Sequence, residues 1–256
     1  MRLDLATFLL QWAAGGLGGL YVTTRRREVG LGFGWLLRSI FAALAFGAAI
    51  VFVRHDHPGT GDTVAAIGAI ACGLAAVVAL VASVRCRKHG VSGFMPAYEI
   101  PAPILGAIGL LGATSVAGGG YPLTAARILV GAAFLGVVTD AMLLGHWYLV
   151  QPGLPRAHLM ELVNLTMWIW PLEVLLFLIP TGMVSVFTGA IDDGYNGILG
   201  WVWIACAIGT IALVYVTRLA LREPYYSAVM SATGLLYLAI LTAFGTDLVA
   251  RAVLSH

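Results

Sequence analysis

Residues 139–161 read TDAMLLGHWYLVQPGLPRAHLME and join two long hydrophobic segments through one short turn. The turn, QPGLP at 151–155, contains two prolines and a glycine, which end helices and favour a tight connection. The same stretch carries the acidic and imidazole side chains of Asp140, His146, His158 and Glu161. Because such groups are costly to keep in an apolar chain, this hairpin is the strongest lead to function.

The composition places most of the surface of this chain in lipid. Of the 256 residues, 60% are hydrophobic and 10% are charged, and the mean hydropathy is +0.94. Soluble domains carry about 25% charged residues, so this chain has too little charge to cover a water-facing surface. At roughly 20 apolar residues for each crossing of ~30 Å of hydrocarbon, the length fits about eight transmembrane helices.

Apolar runs separated by polar or Gly/Pro-rich turns predict an all-α, polytopic transmembrane helix bundle. We expect one integral membrane domain over residues 1–256, without a soluble domain. The predicted spans are 3–24, 31–53, 63–84, 100–119, 123–150, 156–180, 197–217 and 225–254. The turn at 54–59 contains His55 and His57, an H-x-H pattern that is only weakly specific for a metal.

The first predicted span contains Gly-Gly-Leu-Gly-Gly at 15–19. A phosphate-binding loop would need a preceding strand and a following Lys-Ser/Thr pair, and the sequence has neither here. Small residues four positions apart, such as Gly15 and Gly19, let two transmembrane helices approach closely. The pattern therefore predicts a close helix contact.

The distribution of basic residues predicts the orientation of the bundle. If the spans alternate, one side of the membrane receives Arg25, Arg26, Arg27, Arg85, Arg87, Lys88, Arg156, Arg218 and Arg222. The other side keeps Arg2, Arg54, Arg127 and Arg251. Because cytoplasmic loops are enriched in Lys and Arg, both termini are predicted to lie on the non-cytoplasmic side.

Two histidines flank the central turn and are candidate ligands of a cofactor. His146 lies near the end of the fifth span and His158 near the start of the sixth. Since packed helices lie 8–10 Å apart, we expect the two imidazoles on the order of 10 Å from each other. That spacing suits two metal ligands on one haem iron or two contacts to a quinone head group. The neighbouring Trp147 and Tyr148 are typical of the membrane interface, so a purely interfacial role for His146 stays open.

Asp140 is the most unusual residue of the fifth span. A carboxylate at that depth costs about 3 kcal/mol on insertion scales unless it is paired, hydrated or protonated. Because a helix turns by 100° per residue, Asp140 and His146 point about 120° apart. They can meet at one ligand only across a wide cavity between helices.

The sixth span carries a stripe of polar and aromatic residues. Glu161, Asn164 and Trp168 follow i, i+3, i+7 spacing and share one helix face. We expect Glu161 to handle protons together with Asp140 as the catalytic pair. Asn164 and Trp168 are expected to contact the cofactor beside His158.

Further polar groups lie deeper in the predicted bundle. Pro171 removes a backbone donor and should kink the sixth span, and Glu173 beside it is a candidate ion or proton site. The alternative is that Glu173 pairs with Arg127 or Arg38. Asp247 and Arg251 are four residues apart and are expected to form an i, i+4 ion pair. The long side chain of Arg38 can extend to the membrane interface.

Three functions are compatible with these patterns. The one we favour from the sequence is a membrane subunit of a respiratory or other redox assembly that binds a quinone or b-type haem near the cytoplasmic face. The second is a small proton-coupled secondary transporter that uses Asp140 and Glu173 as alternately protonated carboxylates. The third is a non-catalytic scaffold or assembly subunit. The absence of a visible internal repeat counts against transport.

The small size predicts a subunit rather than a self-sufficient enzyme. Its expected partners are the lipid bilayer and other membrane or peripheral subunits. No basic patch with interleaved aromatic residues indicates nucleic acid. The expected location is a cell membrane, namely the bacterial inner membrane.

Overall fold

The structure, a computed structural model, describes residues 4–54, 59–89, 95–116, 120–179 and 182–254. Within these ranges all regular secondary structure is α-helical. The helices are α1 (Leu5–Thr24), α2 (Leu31–Val53), α3 (Thr60–Lys88), α4 (Pro96–Glu99), α5 (Pro101–Val116), α6 (Tyr121–Trp147), α7 (Ala157–Leu178), α8 (Val184–Phe187), α9 (Ile198–Ala220) and α10 (Tyr226–Leu254). The short α4 and α5 together form one span at 97–115.

Eight helices in the described part of the chain are long and apolar enough to cross a membrane. This confirms the predicted all-α fold class and the predicted number of spans, and makes the chain a multi-pass membrane protein in a lipid bilayer. The side of the membrane that holds the termini stays a prediction. The outermost residues of three predicted spans (3, 117–119 and 180) and the His55–His57 turn lie outside the described residues.

The helices alternate in direction as the predicted topology requires. Gly68 of α3 lies against Gly109 of α5, and Trp35 of α2 donates a hydrogen bond to Ser83 of α3 over 3.0 Å. Near the other end of the chain, Thr210 of α9 contacts Thr242 of α10 over 2.8 Å. One end of the bundle therefore carries the start of α1 and the end of α10, and we call it the terminal face. The opposite end carries the Arg25–Arg27 turn, and we call it the arginine face.

The parallel pair α1 and α6 crosses with the two backbones in direct contact. A Cβ atom added to Gly15 would overlap the carbonyl oxygen of Ala132, and one added to Gly136 would overlap the backbone of Gly15. Only residues without a side chain permit such backbone contact. The predicted close contact at Gly15 and Gly19 is thereby confirmed, with Gly19 packing against Asp140.

The central hairpin is present as expected. The α6 helix ends at Trp147 and α7 begins at Ala157, and the turn is closed by a 2.7 Å hydrogen bond from the Tyr148 hydroxyl to the carbonyl of Pro155. Burial raises the pKa of Tyr148 to about 12, so this hydroxyl remains a donor at neutral pH. The α7 helix continues through Pro171 to Leu178.

Candidate functional site

The main polar feature of the interior is a cluster of five side chains drawn from four helices. We call it the buried ionic cluster; its members are Gln11 of α1, Arg127 of α6, Glu173 of α7, and Asp247 and Arg251 of α10. All five residues are buried. Such groups in apolar surroundings are retained where they serve a function or satisfy one another.

Gly131 of α6 is the point on which three of these side chains converge. A Cβ atom added to Gly131 would lie 2.5 Å from Gln11 Nε2, 2.9 Å from Asp247 Oδ1 and 3.2 Å from Glu173 Oε1. The α1, α7 and α10 helices thus direct polar atoms to the same bare stretch of α6 backbone. The missing side chain at Gly131 is what lets them meet.

Part of the cluster is satisfied by local bonds. Arg251 donates from Nε to Asp247 Oδ2 over 2.6 Å, which confirms the predicted i, i+4 ion pair. Gln11 donates from Nε2 to the carbonyl of Ile128 over 2.8 Å. Arg127 donates to the carbonyls of Leu176, over 2.8 Å, and Ile179 at the end of α7.

The remaining acceptors of the cluster lack a donor. Both carboxyl oxygens of Glu173, Asp247 Oδ1 and Gln11 Oε1 are buried without a hydrogen-bond partner among the described residues. Glu173 and Asp247 nevertheless lie close enough to hydrogen-bond to each other. Two ionised carboxylates contain no donor, so that bond forms only when one of them carries a proton.

Asp140 is a third fully buried carboxyl, separate from the cluster. Neither of its oxygens has a hydrogen-bond partner among the described residues. Gly19 of α1 provides the room for it, since a Cβ there would overlap Asp140 Oδ2. Nine residues along α6 from Gly131, at 1.5 Å per residue, place Asp140 about 14 Å nearer the arginine face.

The two predicted ligand histidines contact different parts of the bundle. His146 is exposed, and its Nδ1 lies 3.3 Å from the hydroxyl of Tyr237 on α10. His158 is buried, and its Nε2 lies 2.6 Å from Glu28 Oε2 in the α1–α2 connection. The described residues contain no group of three or more His, Cys, Asp or Glu side chains placed to hold a metal ion. The structure therefore gives each histidine its own partner on a different element.

The residues of the predicted stripe on α7 lie in different surroundings. Glu161 accepts a hydrogen bond from Arg25 and lies 3.1 Å from Arg26 Nη2, so it joins the start of α7 to the α1–α2 connection. Asn164 is half-buried, and Trp168 is 76% exposed on the outside of the bundle. The stripe thus runs from a surface ion pair to the lipid-facing exterior.

Arg38 does not extend to the interface, contrary to expectation. It is buried and forms a two-point ion pair with Glu99, in which Nε donates to Oε2 over 3.0 Å and Nη2 donates to Oε1. Glu99 ends α4, within the span at 97–115, and neutralises Arg38 across the gap between α2 and α4. Arg38 is therefore excluded as the partner of Glu173, whereas Arg127 lies near enough to interact with it electrostatically.

Gln11 is the cluster member that the sequence analysis missed. The available signal was an amide in the middle of the apolar run of α1. Comparisons with known protein families, with curated proteins and with solved structures find no match for this chain. The function is therefore inferred from two sets of buried carboxyls, namely Glu173 with Asp247, and Asp140.

Proposed function

We propose that this chain is a proton-coupled secondary transporter in which Glu173 and Asp247 form the proton-binding site. The observation that carries the proposal is that these two buried carboxyls lie within hydrogen-bonding reach of each other and that their facing oxygens have no other donor among the described residues. A proton is the ion that satisfies both at once. Proton-coupled carriers need a site of this kind near the middle of the membrane.

The charges of the cluster explain how a proton could drive a change of state. Arg127 and Arg251 contribute two positive charges, and ionised Glu173 and Asp247 contribute two negative charges, so the net charge is 0. Protonation of Glu173 leaves a net charge of +1. In a low-dielectric interior, such a change alters the balance between helix arrangements by several kcal/mol.

Each charged side chain of the buried ionic cluster has its own role in the proposed mechanism. The 2.6 Å bond from Arg251 Nε holds the Asp247 carboxylate in a fixed orientation. Glu173 is the group that gains and loses the proton. Arg127 ties the end of α7 to α6 through the carbonyls of Leu176 and Ile179, so the charge of Glu173 and the position of α7 are coupled.

Asp140 supplies a second protonatable group on the way to the arginine face. Its carboxyl is enclosed by α1 and α6 and has no counter-charge within hydrogen-bond distance among the described residues. We assign it the role of an inner relay, reached when the glycine crossing between α1 and α6 loosens. Proton gradients of the required size exist across energised membranes such as the bacterial inner membrane, where we expect the protein to reside.

The test combines proton binding with proton movement. Infrared difference spectra of the purified protein should show a protonated carboxyl band that titrates with pH and disappears in Glu173→Gln. Proteoliposomes containing a trapped pH dye should take up protons under an imposed potential, and Glu173→Gln and Asp140→Asn should abolish the uptake. Glu223→Gln, which alters an exposed carboxylate at the arginine face, is the matched control. A protein that neither binds nor moves protons through Glu173 would refute the proposal.

The redox-subunit hypothesis stays a prediction with its own test. It requires a quinone or haem between His146 and His158, and their contacts lead to Tyr237 and Glu28 instead. An optical spectrum with a reduced-minus-oxidised haem band, or one quinone extracted per chain, would replace the transporter proposal. Stoichiometric co-purification of other chains, without proton uptake, would favour the scaffold.

A further inference from the structure

A cavity of about 830 Å³ opens at the terminal face, away from the buried ionic cluster. It lies between α8, the connection that follows α8, and the start of α9. Its wall includes Val186, Phe187, Asp192, Asn196 and Trp201. The volume is far larger than an inorganic ion needs and is in the range of pockets that bind small organic molecules.

Two aromatic rings form one side of this cavity. Phe187 and Trp201 pack edge to face, with their ring centroids 5.7 Å apart and their planes at 75°. Trp201 is 67% exposed and Phe187 is 40% exposed, so part of each ring is accessible from the cavity. The face of an aromatic ring attracts a cation, most strongly when the ring is Trp.

The other side of the cavity is acidic. Asp192 and Asp193 are the only charged residues of 182–197. Asp193 accepts backbone hydrogen bonds from Tyr195 (2.9 Å), Gly197 (2.8 Å) and Leu199 (2.9 Å), which fix the loop to the start of α9. These bonds, led by the one from Gly197, lower the pKa of Asp193, so its charge persists into mildly acidic solution.

Asp192 supplies a further carboxylate at the rim. Its Oδ1 accepts one backbone hydrogen bond from Gly194 over 2.9 Å, and the residue is exposed. Since the oxygens of Asp193 are committed to backbone donors, the two residues do not provide the several oxygen ligands that a Ca²⁺ or Mg²⁺ ion requires. A carboxylate that shares a cavity with accessible aromatic rings is instead the chemistry that recognises an organic ammonium group.

We propose that this cavity binds an organic ammonium cation, with Phe187 and Trp201 against the cationic group and Asp192 as its counter-charge. The proposal names organic ammonium cations as the substrate class of the transporter. Only the transport step rests on the proposed function. Binding at the cavity stands independently of transport.

The position of the cavity indicates how the cation and the proton could be exchanged. Val186 lines the cavity and also packs in a hydrophobic cluster with Phe177, Trp203 and Ala250. On the far side of that apolar layer, the Arg127 guanidinium lies 6.0 Å from the Phe177 ring centroid. Phe177 thus contacts both the hydrophobic cluster that includes Val186 and the Arg127 guanidinium of the buried ionic cluster. When the buried ionic cluster is protonated, its net charge of +1 repels the organic cation. When the cluster is deprotonated, the cation can bind. The proton and the cation therefore compete, and transport exchanges them in opposite directions.

The test measures binding of two probes of matched size and opposite charge to the purified full chain. Benzyltrimethylammonium should bind in isothermal titration calorimetry, and benzylsulfonate should not. Because a cation–π contact or an ion pair at an exposed site contributes roughly 1 kcal/mol, Trp201→Ala and Asp192→Asn should each weaken cation binding by about 5- to 10-fold. Trp201→Phe should restore part of the affinity lost in Trp201→Ala.

Matched controls separate this site from general apolar binding. Trp168→Ala removes an equally exposed tryptophan elsewhere, and Glu223→Gln removes a carboxylate at the opposite face, so both should bind the cation as the wild type does. Equal binding of the two probes, or unchanged affinity in both cavity variants, would overturn the proposal. If the cation binds but Glu173 shows no proton uptake, the cavity assignment holds and the transporter fails. If Glu173 takes up protons but no cation binds, the proton-binding site holds and the cavity assignment fails.

Discussion

At the scale of single residues, the interior of this protein contains two kinds of buried charge. Arg38 and Glu99 neutralise each other through two parallel hydrogen bonds, and such pairs hold helices in a defined position. Glu173 and Asp140 have no such partner for their carboxyl oxygens among the described residues. The first arrangement is typical of structural ion pairs, and the second is typical of groups that exchange a proton.

The Arg38–Glu99 pair allows a direct test of its structural role. Replacing either partner alone, in Arg38→Met or Glu99→Gln, leaves a buried group without its partner and should destabilise the protein by about 3–5 kcal/mol. The double variant should be more stable than the sum of the two single effects predicts, because no unpaired charge remains. Chemical unfolding of the four proteins in detergent measures this coupling. Strict additivity would show that the two side chains do not interact in solution.

Gly131 allows a test of how the side chains of the buried ionic cluster are brought together. Gly131→Ala places a methyl group 2.5 Å from Gln11 Nε2 and 2.9 Å from Asp247 Oδ1, so these groups must move apart. We expect a loss of about 1–3 kcal/mol in the free energy of unfolding, together with weaker proton binding at Glu173. Gly120→Ala is the control, because no atom of the described residues lies within 4 Å of a Cβ atom there. Equal stability of the two variants would contradict the packing described at Gly131.

At the scale of helices, the parallel contact of α1 with α6 determines where both carboxyl sites lie. The backbones touch at Gly15 and Gly136, and the buried ionic cluster and Asp140 lie on either side of this crossing. Lipid offers no hydrophobic driving force between helices, so close packing of small residues supplies much of their attraction. Any movement that separates α1 from α6 therefore changes the surroundings of Gln11 and Asp140 together.

The crossing can be tested with alanine substitutions. Gly136→Ala introduces a Cβ atom that overlaps the backbone of Gly15, which cannot rotate away as a side chain can. We expect a lower melting temperature and loss of the folded monomer in detergent. Gly234→Ala on α10 adds the same atom where nothing lies within 4 Å and should leave the melting temperature unchanged. Should both variants melt like the wild type, the two helices cannot be in backbone contact.

The loop before α9 responds to acid through Asp193. Backbone hydrogen bonds lower its pKa in the folded protein, so its stabilising effect is complete above the unfolded pKa and is lost as the pH falls through the lower, folded value. We expect the protection of the Tyr195, Gly197 and Leu199 amides, measured as exchange relative to the intrinsic rate at each pH, to fall in that acidic range. Asp193→Ala should show low protection of these amides at all pH values. Amides that stay protected in Asp193→Ala would refute this role of the carboxylate.

At the scale of the whole molecule, the sequence was sufficient to predict the fold and insufficient to predict the site. Span number depends on local hydropathy and length, which can be read along the chain. Contacts between spans depend on how each helix is rotated, at 100° per residue, and this follows from packing against all its neighbours. Glu173 and Asp247 are therefore brought together from helices distant in sequence, whereas His146 and His158, on adjacent helices, face Tyr237 and Glu28.

The orientation of the molecule remains a prediction that a fusion experiment can check. The alternation of the helices brings Arg25, Arg156 and Arg218 to the same face, and such a face is cytoplasmic in most membrane proteins. The terminal face, with the proposed cation cavity, would then lie outside. Alkaline phosphatase joined after residue 254 should be active in a bacterial host, and green fluorescent protein joined at the same point should be dark. The opposite pair of results would place the cavity in the cytoplasm and reverse the direction in which cation and proton are exchanged.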